Sequence, residues 1–120
     1  MGARMGPGTY AAAWRAAGRC TAPPQPRPYL LSRGIPLDLP TARNVIYIAS
    51  VNRSARYVGS TTRGVGTRVR EHVRQRGRNI WEELWLITLV EGTSRYGVLL
   101  AEERVGKLLD PDENCRPPGR

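Results

Sequence analysis

The stretch Val45-Ile46-Tyr47-Ile48-Ala49-Ser50 constrains the fold more than any other part of the chain. Its β-branched and aromatic side chains suit a strand and disfavour a helix. Asn52-Arg53-Ser54 follows with turn chemistry, and Arg56-Tyr57-Val58-Gly59 reads as the returning strand of a β-hairpin. Downstream, Val65, Val69 and Val73 recur every four residues, which places an apolar stripe on a helix that Gly77 would stop. Trp85-Leu86-Ile87-Thr88-Leu89-Val90 is a buried-strand candidate closed by Glu91-Gly92. Thr93 is a possible N-cap for a second helix carrying Val98, Leu99, Ala101, Val105, Leu108 and Leu109, which Pro111 ends. The order is β-β-α-β-α. It predicts a small α/β (α+β) domain with a three-stranded, mainly antiparallel sheet flanked by helices.

Residues 1–43 read differently. Seven prolines, five glycines and six arginines face a single acid, Asp38. Each proline lacks a donor and fixes φ, so Pro23-Pro24-Gln25-Pro26-Arg27-Pro28 can continue neither a helix nor a central strand. The expectation is a largely irregular basic arm over 1–43, with a short helix near 9–18. An ordered domain over 44–116 and a tail over 117–120 complete the division.

The whole chain, 120 residues and 40% apolar, suits one domain with a modest core. No apolar run approaches the roughly 20 residues of a membrane span. Arg15 interrupts Ala11-Ala12-Ala13-Trp14, the one candidate for a secretory signal. Cys20 and Cys115 lie far apart, there is no CxxC, and the chain has one histidine, so a structural zinc site is not expected. A reduced, cytoplasmic setting fits best. The net charge of +9 favours a polyanionic partner, nucleic acid before an anionic membrane surface.

Cutting a phosphodiester needs a cation held by a carboxylate, a positive side chain for the transition state and a base for the attacking water. The ordered part offers Tyr47, Tyr57, Arg68, His72, and Glu102 or Glu103 on separate elements. Each has a plainer reading. A tyrosine pair on neighbouring strands is usually packing. Most helix arginines are solvated, and a lone histidine is usually structural. Arg68 and His72, four apart, share one side of their helix, while Arg70 and Arg74 lie on another. Glu102 and Glu103 point about 100° apart. Glu102 follows Val98 and Leu99 and should face inward, where it needs a cation or an arginine. Ser60 and Thr61 could touch a phosphate or cap their loop. Trp81 and Trp85 read as core or sheet-edge residues. The two phenols are directly opposite only if the hairpin loop has an odd number of residues, as in Val51-Asn52-Arg53. A two-residue turn would send them to opposite faces.

Val45-Ile46-Tyr47 and Tyr57-Val58-Gly59, with tyrosines ten apart, resemble the paired motifs of the GIY-YIG nuclease family. Arg68 and His72 resemble its Arg-x-x-x-His step, and Glu102 its metal-binding glutamate. Glu102, Lys107, Pro111 and Asn114 are similar in spacing to the ending of the nuclease module in the excision-repair incision subunit. The likeness spans about residues 44–114. Val45 stands for the usual glycine, the Gly59–Arg68 connection is one residue longer, and Gly106 replaces an apolar residue. The resemblance implies a metal-dependent endonuclease, with DNA expected before RNA as its substrate and the choice between them left open by the sequence. Glu102 would hold one Mg²⁺ or Mn²⁺ and Arg68 would stabilise the pentavalent phosphate. Tyr47 or Tyr57 would act near the water, with His72 in support. Ser60, Thr61, Arg70 and Asn114 are candidates for nucleic-acid contact or support. Two other readings stand beside it: a catalytically silent module of the same fold that binds nucleic acid or protein, and an unrelated small basic RNA- or ribosome-associated protein.

Overall fold

Two positive backbone angles turn the hairpin. Asn52 at φ 51° and Arg53 at φ 61° join β2 (Val45–Val51) to β3 (Ser54–Thr61), and Val51 pairs with Ser54. The loop therefore has two residues, as right-handed strand twist favours, and not the odd number the shared face of the tyrosines was expected to need. A β-bulge resolves the conflict. Ser50 pairs with Ala55 but Ala49 pairs with Tyr57, so Arg56 is an extra residue that shifts the register by one. Tyr47 and Tyr57 return to the same face.

The structure, a computed structural model, describes residues 2–18, 25, 27–31, 34–76 and 81–112. Besides the hairpin it contains α1 (Pro7–Ala17), β1 (Tyr29–Leu30), α2 (Val65–Arg76), β4 (Glu83–Thr88) and α3 (Arg95–Leu109). All strand pairings are antiparallel, and the sheet order is β1-β4-β2-β3. The α+β class is as expected, but the sheet has four strands where three were expected. The fourth is the short β1, which reaches the β4 edge from the proline-rich segment. Gly77 lies outside the described residues, as does the side chain of Val73.

Alternation explains why Val45–Ser50 is apolar on both faces. Ile46 and Ile48 pack with Val98, Ala101 and Val105 of α3 and Tyr10, Ala13 and Ala17 of α1. Val45, Tyr47 and Ala49 pack with Val65 and Val69 of α2. The central strand is buried on both sides, so it shows no polar alternation.

The N-terminal segment is part of this core, not a free arm. Pro7 starts α1 and Gly18, at φ 84°, closes it. Its buried residues follow a helical stripe, and Ala13 and Ala17 are small enough for close approach. Tyr10 stacks on Trp85 at 4.9 Å, and its hydroxyl donates to the Leu86 carbonyl. Ala3 donates to the Leu109 carbonyl and accepts from the Ala55 amide, tying the end of α3 to the hairpin. At the start of α3 the cap is Ser94, whose Oγ accepts from the Gly97 amide, while the expected cap Thr93 sits in the preceding turn. Asp110 closes α3 just before Pro111. Among the described residues no helix is long and apolar enough to cross a membrane.

Candidate active site

The register that the bulge restores brings the two phenols together. Tyr47 pairs with Gly59, and Tyr57 with Ala49, so the rings are diagonal neighbours on one face. Their centroids are 6.0 Å apart with planes 26° from parallel. Gly59 makes room for this. A Cβ there would stand 2.5 Å from Tyr47 Cζ and Oη and 2.8 Å from Tyr57 Cε2. The Tyr47 ring thus lies across the glycine backbone.

Helix α2 covers this face because Val65 and Val69 are buried against it. One turn after Val69 the same side brings in His72, 3% exposed, whose Nε2 lies 3.0 Å from Tyr47 Oη in a hydrogen bond. The imidazole also stands edge-on to Tyr57 at 5.1 Å. Trp81 closes the group, 4.7 Å from His72 and stacked on Tyr57 at 5.4 Å. Trp81 is buried, as expected of a core residue, but the core it belongs to is that of the tyrosines.

Arg68 stands on the solvent side of this cluster, its side chain 32% exposed. Burial raises the Tyr47 pKa, and Tyr57 adds to the rise, while the charge and hydrogen bonding of Arg68 oppose it. Tyr47 therefore rests as a neutral phenol, with Arg68 as the cation that favours its ionised form. Burial alone would lower the Arg68 pKa, but Tyr47 and Glu71 outweigh it and the net direction is upward. Glu71, one turn on, accepts from Arg68 Nη1 at 3.0 Å. That bond, with a smaller effect from Arg63, lowers the Glu71 pKa. Sequence reasoning passed over Glu71, although its three-residue step from Arg68 was visible.

Glu102 approaches from elsewhere. Its helix α3 packs on the Ile46 face, opposite the phenols. Ser60 pairs with Ile46 and so faces the same side, where its hydroxyl donates to Glu102 Oε1 at 2.5 Å. The partner of this inward carboxylate is thus a serine rather than an arginine. Ser60 is next to Gly59 on β3, the outer strand of the sheet, so the carboxylate and the phenols contact neighbouring residues of one strand from opposite faces. Its charge is among the causes that raise the Tyr47 pKa.

The supporting candidates are spread more widely. Thr61 is buried and its Oγ1 accepts from the Arg63 amide, a loop-capping contact. Arg70 and Arg74 are exposed on another side of α2, and Asn114 lies outside the described residues. Among the described residues no three His, Cys, Asp or Glu side chains gather into a cation cage. A small hard cation needs no such cage. Mg²⁺ is commonly held by one or two carboxylates and completed by water and phosphate, and Glu102 beside Ser60 fits that mode. Compared with known proteins, the chain matches no family model, no curated protein and no solved structure.

Proposed function

We propose that the chain is a metal-dependent endonuclease of GIY-YIG type, hydrolysing phosphodiester bonds in DNA. The observation that carries this reading is the Tyr47–His72 hydrogen bond with Arg68 beside it. These residue types recur with the motif spacing that named the resemblance, and they serve one chemistry.

Tyr47 is fully buried and Tyr57 is 9% exposed, so solvent meets Tyr57 and Arg68 first. Tyr57 positions the water or the phosphate. Tyr47 lies behind and transmits a proton. With neutral His72 presenting the lone pair of Nε2, the phenol of Tyr47 donates to it. As a proton passes from the attacking water to the phenol oxygen, the phenol's own proton passes to His72, and Arg68 stabilises the negative charge that develops in between. The outward face of the Arg68 guanidinium is placed to meet a phosphate oxygen. Glu102, held by Ser60, would bind Mg²⁺ or Mn²⁺, which supplies Lewis-acid neutralisation of the phosphate.

Supercoiled plasmid incubated with Mg²⁺ tests the reading. Native protein is expected to nick it and Glu102→Ala is not. A panel of duplex, branched and single-stranded DNA, with RNA alongside, then sets the substrate. The burial of Tyr47 and the placement of Glu102 opposite the phenols favour a second reading, a nucleic-acid-binding module without cleavage. Binding of duplex with no nicking in any metal supports that module.

A further inference from the structure

Glu71 is a charged residue of α2 to which the mechanism above gives no role. Its Oε1 accepts from Arg68 Nη1 at 3.0 Å, and its two oxygens accept from Arg63 Nη2 at 3.2 and 3.1 Å. Arg63 comes from the loop between β3 and α2. There the Arg63 amide donates to Thr61 Oγ1 at 3.1 Å, and Gly64 turns the chain at φ 106°. One carboxylate thus holds two guanidiniums from separate elements side by side. Stability does not explain the arrangement. The Arg63 side chain is 65% exposed and that of Glu71 30%, and exposed pairs contribute little to folding.

We propose that Arg63 and Arg68, arranged by Glu71, form a two-arginine subsite for a phosphodiester group, with Glu71 as a positioning residue that sets Arg68 against Tyr47. The proposal rests on the nuclease reading and adds to it a second phosphate contact and a residue acting through Arg68. The charges suit it. Two arginines and one carboxylate leave one positive charge, which one phosphodiester neutralises. Each guanidinium has five N–H donors in a planar fork, and Glu71 engages only part of each. Arg68 is fixed from two directions, by a half-buried carboxylate and by the buried phenol. Removing Glu71 frees two cations for nonspecific phosphate binding but releases the orientation of Arg68. Binding and turnover should therefore move in opposite directions, which simple loss of structure does not produce.

Full-length wild type, Glu71→Gln, Glu71→Ala and Arg63→Ala test this. Binding of a short labelled duplex is followed in EDTA across a salt series, nicking of plasmid in Mg²⁺, and thermal melting in parallel. Both Glu71 variants are expected to bind duplex at least as tightly as wild type while nicking falls about 10- to 100-fold. Glu71→Gln keeps an acceptor for Arg68 and should retain more nicking than Glu71→Ala. Arg63→Ala should lose about 0.9 from the slope of log affinity against log salt, one phosphate contact. Three results overturn the proposal: unchanged nicking in Glu71→Ala, parallel loss of binding, nicking and melting temperature, or an unchanged slope in Arg63→Ala. Should wild type bind duplex and never nick it, the nuclease reading fails and the EDTA series alone decides. Tighter binding by the Glu71 variants with slope loss in Arg63→Ala then sustains the subsite. Unaltered binding in all variants, or no binding by wild type, removes it.

Discussion

At Gly59 the cluster depends on the absence of a side chain. A methyl group there meets the Tyr47 ring at 2.5 Å, and that ring is enclosed by Tyr57, His72 and Trp81. Gly59→Ala is expected to cost about 1–3 kcal/mol by overpacking, measured by urea denaturation, and to displace Tyr47 from His72. Tyr47→Phe removes the bond to His72 and should cost about 1–2 kcal/mol. It should also change the response to alkali. The folded-state pKa of Tyr47 lies above its ordinary value of 10.0, so its stabilisation is fully present below pH 10 and is lost as pH rises further. The stability difference between wild type and Tyr47→Phe, followed by urea midpoints from about pH 8 to pH 11, should shrink towards the alkaline end. A constant difference would contradict the burial assigned to this phenol. Much at this scale was legible. Tyr47, Tyr57, Arg68, His72 and Glu102 are chemically distinctive at motif spacing. Glu71 was not picked out, and Gly59 and Trp81 entered only as a motif residue and a core or sheet-edge residue, because their roles depend on what packs over them or reaches them in space.

Elements followed from periodicity wherever burial left a periodic trace. The two apolar strands and both helices beyond residue 44 are where the spacing places them, with ends displaced by a few residues. The bulge left no trace, because Arg56 is an ordinary polar residue whose place is set by pairing on both sides of it. Nor did β1, since Tyr29–Leu30 is too short to show alternation and follows a run of prolines. The bulge carries its own prediction. Deleting Arg56 leaves Ser50 opposite Ala55 and Ala49 opposite Tyr57, now in a regular ladder. The variant should fold, keep Tyr57 on the Tyr47 face and retain nicking of the same order as wild type. Deletion that abolishes folding or nicking would mean that the bulge itself, and not only its register, is required. On α3, a methyl group added at Gly106 would meet no atom within 4 Å. Gly106→Ala should therefore stabilise by about 0.5–1 kcal/mol, seen as a raised melting temperature.

For the whole molecule, the main departure from expectation is the N-terminal segment. Its prolines and arginines mark it as an arm, yet Met5, Tyr10, Ala13 and Ala17 are buried in the core shared with α3. Alanine and one tyrosine gave too weak a stripe to outweigh the surrounding composition. Removing residues 1–18 should therefore abolish cooperative unfolding, rather than only weaken salt-dependent binding. A truncated protein that melts like wild type would contradict this packing. The same whole-molecule geometry puts Glu102, bonded to Ser60 of the outer strand β3, on one face of the sheet and the phenols on the other. The nuclease proposal requires both to act on one phosphate at that strand. It is tested most directly by the Mg²⁺-dependent nicking rate of Glu102→Gln against wild type, with equal melting temperatures establishing that both are folded. The expected result is a loss of at least about 100-fold. Equal rates in the two proteins, or no metal-dependent nicking by wild type, would contradict it.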